Sequence, residues 1–161
     1  MRLRRPARPA PLGAGEPVLA WCRSVDDVLI AGTREALYLG ETRIAWEEVE
    51  AADWDRDTEV LRVSEVGSWG QPRPEHRHVI AEPGRLPELV RERVTASVVL
   101  QRHMPLRGRR GVRVVARRAP GGDRPIRWVF EYDEGIDPDD PAVAAAARAT
   151  LAAARNEVGL S

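Results

Sequence analysis

The stretch from Val28 to Val66 reads VLIAGTREALYLGETRIAWEEVEAADWDRDTEVLRVSEV, and it decides the fold. Short runs rich in apolar and β-branched residues (VLIAGT, EALYLG, RIAW, VEAADWD, EVLRVSEV) are separated by little more than a glycine or a few polar residues. This spacing predicts a meander of short antiparallel strands. EVLRVSEV alternates, with Val60, Arg62, Ser64 and Val66 on one face and Leu61, Val63 and Glu65 on the other. AWEEVEAADWD is ambiguous, because Trp46, Val49 and Ala52 also fit a helical stripe. The run is short and tryptophan is a weak helix former, so a strand-bulge-strand reading is preferred, with Trp46, Val49 and Trp54 as anchors.

Upstream, PVLAWCRSV from Pro17 to Val25 is strand-like and Asp26-Asp27 turns the chain. Downstream, GSWGQPRP is a loop with Trp69 at its tip, HRHVIAE is a strand, and Pro83-Gly84 breaks it. An amphipathic helix is expected from Leu86 to Arg102, with Leu86, Val90, Val94, Ser97, Val98 and Gln101 along one stripe. RGRRG, from Arg107 to Gly111, is then a turn, and VRVVARRA and IRWVFEY form a hairpin around the loop Pro120 to Pro125. Asp140-Pro141 starts a second helix that runs to Val158, with Gly159 as its stop.

The fold class is therefore α+β: a strongly bent antiparallel sheet or barrel capped by a helix, extended by a C-terminal hairpin and helix. Three segments follow: a disordered arginine- and proline-rich tail over 1–15, a domain over 16–104, and a hairpin-helix extension over 105–161 packed on it. The expected core includes Leu29, Ile30, Leu37, Leu39, Ile44, Trp46, Val60, Leu61, Val63, Val79, Val90, Val94, Val98, Trp128, Phe130 and Leu151.

At 161 residues and 43% apolar content the chain can bury a sizeable core. No apolar run approaches the roughly 20 residues that span a bilayer. The N-terminus has arginines but no apolar segment of the secretory type, which places the protein in the cytoplasm. Cys22 is the single cysteine; it has no disulfide partner and no second thiol for zinc, and reads as a buried thiol. Charge is zero overall but segregated. Asp26 to Glu65 holds twelve acids against four arginines, Gln101 to Phe130 nine arginines against one acid, and Glu131 to Asp140 six acids and no base.

Six or seven short strands closed by one helix resemble the pleckstrin-homology-like superfold, in particular bacterial PH and GRAM-type domains. Thr33 before EALYLG, then RIAWEEV, ADWD and EVLRV carry the resemblance, over roughly Gly15 to Met104. The whole chain also resembles an actinobacterial protein family in which segments like AADWD and RVTASVVLQRH recur, and which brings no activity to carry over. All 25 basic residues are arginine, as the coding bias of a GC-rich bacterial genome would produce. That bias weakens arginine clusters as evidence for phosphate binding.

Candidate sites are few. Arg107, Arg109, Arg110, Arg113 and Arg117, with Arg118, could hold phosphates while Trp128 stacks a base. The competing reading pairs these arginines with the acidic blocks inside the fold, and it is preferred because the chain is neutral and lacks a recognition helix. His76 and His78 share a strand face but lack a third ligand, and read as exposed strand histidines. Asp53, Asp55 and Asp57 lack the glycine and distal glutamate of a calcium loop and read as a solvated edge. The acids from Asp133 to Asp140 precede a helix N-terminus, where negative charge is favourable. Gly121-Gly122 lacks the following helix of a phosphate cradle. No cofactor or metal set and no catalytic constellation is legible. The sequence thus reads as a non-catalytic interaction module that self-associates or binds a protein partner. Nucleic acid or anionic lipid on the Arg107 to Arg118 hairpin is the alternative, and a small-molecule or enzymatic domain a further one.

Overall fold

The computed structural model describes residues 7–67, 73–120 and 125–158. The Trp69 loop tip, the Gly121-Gly122 pair, the Gly159 stop and the first six residues of the tail lie outside them. The chain divides into two compact units, one built from Met1–Ala96 with Ala119–Gly121 and one from Ser97–Arg118 with Gly122–Ser161.

The first unit holds two antiparallel sheets and a helix. Strands β1 (Ala20–Arg23), β2 (Leu29–Gly32), β3 (Ala36–Leu39) and β4 (Thr42–Ala45) pair in sequence order. Strands β5 (Val49–Trp54), β6 (Val60–Glu65) and β7 (Glu75–Val79) form the second sheet, also in sequence order. Neither sheet closes on itself. Helix α1 (Leu86–Ser97) follows. The ambiguous AWEEVEAADWD resolves into a 3-10 turn at Trp46–Glu48 and then β5, with a bulge between Val49 and Ala51. The bulge shifts the alternation so that Val49 faces the core on the same side as Ala52 and Trp54, and Trp46 and Val49 are both fully buried. Burying an indole of this size is worth on the order of 4–6 kcal/mol of transfer free energy.

One apolar cluster joins Ile30, Leu37 and Ile44 of the first sheet to Leu61 and Val63 of the second and to Leu86 and Val90 of α1. The helix lies close against β2, since a methyl group on Gly32 would sit 2.6 Å from Leu89 Cδ2. A smaller cluster on the other face of the first sheet comprises Val18, Ala31, Ala36 and Tyr38, with Leu12 and Trp21 packed against it. Leu12 belongs to the stretch read as tail. It closes a turn in which its N–H donates to the Glu16 carbonyl at 2.9 Å, so its side chain covers the sheet.

In the second unit β8 (Val98–Arg107), β9 (Arg110–Arg117) and β10 (Arg127–Tyr132) form an antiparallel sheet with β9 central, and α2 (Pro141–Glu157) follows. The expected β9–β10 hairpin and the Asp140 cap are present. Asp140 Oδ1 accepts the Ala142 N–H at 2.8 Å, with Pro141 opening the helix. The expected helix to Arg102 is not. It stops at Ser97, and Val98 to Arg107 continues as a strand. Val98 and Val99 are β-branched, and pairing with β9 satisfies the backbone over Val98 to Arg107, which outweighs a helical stripe.

Of the expected core, Leu29, Val94, Val98, Trp128, Phe130 and Leu151 are only half-buried, and one strand face is reversed. Val79 is 41% exposed and Val60 only half-buried, because they pair on the outer face of the second sheet. Leu61 pairs with His78 and Val63 with His76, so the two histidines take the inward positions of β7.

Candidate functional site

The arginine block separates into two groups. Arg117, on the central strand, is only 3% exposed. Its Nη1 lies 3.4 Å from Ser97 Oγ and its Nη2 3.9 Å from Glu131 Oε1. Arg113 Nη1 lies 3.8 Å from the other oxygen of the same carboxylate. Glu131 is directly opposite Arg113 in the β9–β10 ladder, so the register itself delivers the neutralising charge. Burial removes Arg117 from any anion-binding surface. At the other end, Arg107 pairs directly with Arg110, and Gly108-Arg109 forms the turn. All three arginines there are exposed. Arg110 Nη1 donates to the Glu134 carbonyl at 3.3 Å.

Several acids of the block Glu131 to Asp140 have partners within the same unit. Asp133 accepts the Gly111 N–H at 2.8 Å and lies 2.9 Å from His103 Nε2, and these contacts hold its carboxyl below the usual value. Glu157, at the end of α2, pairs with Arg102 at 2.7 Å, which lowers its pKa. Asp137 accepts the Asp139 N–H and Asp140 caps α2. The Arg155 guanidinium lies over one face of the Trp128 ring at 5.9 Å.

The first unit has a different feature. Strand β5 is an edge strand, and a groove of about 500 Å³ runs between it and α1. Ala52, Asp53 and Trp54 line one wall and Pro87, Glu88 and Arg91 the other. A second depression, on the outer face of the sheet, also reaches Ala52 and Asp53, so space lies on both sides of the strand there. The ladder fixes which backbone groups face that space. Asp55 N–H donates to the Val60 carbonyl at 3.0 Å, and antiparallel alternation then turns Asp53 and Ala51 toward β6. Ala52 and Trp54 turn their N–H and C=O groups to the open edge. The Trp54 indole is anchored by donating to the Ile80 carbonyl at 3.2 Å.

The remaining candidates resolve into structural parts. Asp55 Oδ1 accepts the Asp57 and Thr58 N–H groups, closing the β5–β6 hairpin as an Asx turn. His76 Nε2 lies 2.7 Å from Glu65 Oε2. His78 has its pKa lowered, chiefly by burial and secondly by His76, with Asp26 opposing. Among the described residues no three His, Cys, Asp or Glu side chains converge as a metal site. Burial pushes the Cys22 thiol up to about 11, far from the thiolate a nucleophile needs.

One polar cluster escaped the sequence reading. Glu16 accepts from Thr33 Oγ1 at 2.9 Å, from Arg43 Nε at 3.0 Å and from the Tyr38 hydroxyl. Burial works to raise the Glu16 pKa, but these donors together outweigh it and leave the carboxyl lowered. The carboxylate is saturated by its own neighbours and pins the N-terminal turn to the first sheet. Its members are separated in sequence by up to 27 residues, and only the sheet register brings them together. Comparison with known proteins finds no matching family model, no matching curated protein and no matching solved structure.

Proposed function

We propose that the protein is a non-catalytic interaction module of the cytoplasm, with a PH-like first unit that binds a protein partner along the free edge of β5. The bound element is an extended, positively charged segment that adds as a strand. The observation that carries this reading is the pair of outward-facing backbone groups at Ala52 and Trp54 beside an open groove. Support for the fold reading comes from the order of elements, four strands, then three, then one helix. Support for the charge of the partner comes from the sequence around the strand: Asp53, Asp55 and Asp57 stand in the stretch Asp26 to Glu65 with twelve acids against four arginines, while the groove itself carries Asp53 and Glu88 beside Arg56 and Arg91. The half-buried Trp54 lines the groove and the exposed, small Ala51 lines the outer depression, which leaves room for alternate side chains of an incoming strand.

The test is a titration of the isotope-labelled full chain with a decapeptide of alternating arginine and valine, followed by amide chemical shifts. Shifts concentrated on Ala51 to Trp54 and Glu88 to Arg91 are expected, with a glutamate-valine decapeptide producing none. Ala52→Pro removes an outward N–H without costing a bond to β6, so it should abolish the shifts at an unchanged melting temperature. Binding that survives Ala52→Pro, or shifts confined to other surfaces, would contradict the assignment.

A further inference from the structure

Among the described residues the ladders set arginines directly opposite each other at three places: Arg62 with Arg77, which share Glu75, Arg117 with Arg127, and Arg107 with Arg110 at the β8–β9 tip. Arg107 faces Arg110 across the ladder and Arg109 occupies the turn between them. Such a pair is unfavourable in isolation, because neither strand supplies the compensating charge. Elsewhere in the basic block Arg113 and Arg117 share Glu131, and Arg102 pairs with Glu157. Among the described residues no carboxylate oxygen lies within 4.0 Å of a guanidinium nitrogen of Arg107, Arg109 or Arg110. Asp137 and Asp140 line a neighbouring groove with Arg107 but form no ion pair with it, and each accepts a backbone N–H. Arg110 reaches only a neutral carbonyl.

We propose that this tip is a sequence-independent contact for the phosphate backbone of nucleic acid. The inference is separate from the β5 edge and stands or falls without it. Three exposed guanidiniums with no enclosing cavity cannot desolvate a single phosphate. They gain by engaging successive phosphates of one polyanion and releasing its condensed counterions. Guanidinium is suited to this, because its planar fork accepts a phosphate bidentately and stays charged at every physiological pH. The tip, Arg107 to Arg110, holds no aromatic side chain, so it reads charge and spacing rather than bases.

The experiment measures fluorescence anisotropy of a labelled duplex of arbitrary sequence against salt, from about 50 to about 200 mM. It compares the full chain with an Arg107→Gln/Arg109→Gln/Arg110→Gln variant. Both proteins keep Arg2, Arg4, Arg5 and Arg8, so any contribution of the N-terminal segment cancels. At about 0.9 per phosphate contact, the slope of log K against log salt should be less steep in the variant by about 2 to 3. Arg113→Gln should leave the slope alone while lowering the melting temperature. If the triple variant fails to fold, Arg109→Glu alone should still flatten the slope by about one contact or more. Equal slopes in wild type and variant would overturn the proposal, as would an equal loss of slope in Arg113→Gln. So would arginine-dependent binding to phosphatidylserine vesicles with no binding to the duplex.

Discussion

Arg109 and Arg117 carry the same side chain on one hairpin and have opposite consequences for the fold. Arg109 is exposed in a turn, whereas Arg117 is 3% exposed and lies between Ser97 and Glu131. Truncating Arg109 removes a solvated charge, so Arg109→Ala should change stability by no more than about 0.5 kcal/mol. Arg117→Ala opens a cavity beside a half-buried carboxylate and removes a charge from its surroundings, which should cost on the order of 3 kcal/mol. Urea unfolding of the two variants checks both figures, and comparable costs would show that Arg117 is not held as described. Composition alone could not separate these two residues. What separates them is position: Arg117 falls on the central strand opposite Arg127 and beside Ser97, while Arg109 follows a glycine at a turn.

Elements with a local signal were legible, and those decided by distant pairing were not. The Asp140-Pro141 start of α2 is a local device, a carboxylate accepting the Ala142 N–H and a proline that needs no donor. Asp140→Ala should therefore cost about 1 kcal/mol, which lowers the melting temperature by about 2–4 °C for a chain of this size. A thermal melt followed by circular dichroism measures it; an unchanged midpoint would mean that the cap contributes nothing. The α1–β8 boundary had no such device. The apolar stripe continues through Val98 to Gln101, and neither glycine nor proline interrupts it. The partner that converts Val98 to Arg107 into a strand is β9, and nothing local in the sequence announces that pairing. Strand β7 went astray for a related reason. Its alternation was visible, but which face is inward depends on pairing with β6, and that places His76 and His78 rather than Val79 beside the core positions.

Across the whole molecule, the segregated charge blocks divide between two tasks. In the second unit Glu131 lies beside Arg113 and Arg117, and Asp133, Asp137 and Asp140 accept backbone N–H groups, while among the described residues no carboxylate pairs with the tip arginines. This pattern also sets the response to acid. His78 has its pKa lowered from 6.5, so the unfolded chain takes up that proton first and stability begins to fall as pH drops below about 6.5. Glu16, Asp133 and Glu157 are held below 4.5, 3.8 and 4.5, so their contributions are intact above those values and disappear as pH falls through the lowered ones. Urea midpoints between pH 8 and pH 3 should show a shallow decline followed by a steeper one; a midpoint that rises on acidification would contradict the assignments. The β5 edge was legible only as an acidic strand, since the direction of its backbone groups comes from the Asp55–Val60 pair and the groove from the placement of α1. Amide hydrogen exchange tests that edge most directly. In the full chain alone, the Ala52 and Trp54 amides should exchange far faster than those of Asp53 and Ala51, and addition of the arginine-valine decapeptide should slow Ala52 and Trp54 selectively. Ala52 and Trp54 amides already protected in the free protein, or unchanged by the peptide, would contradict the docking edge.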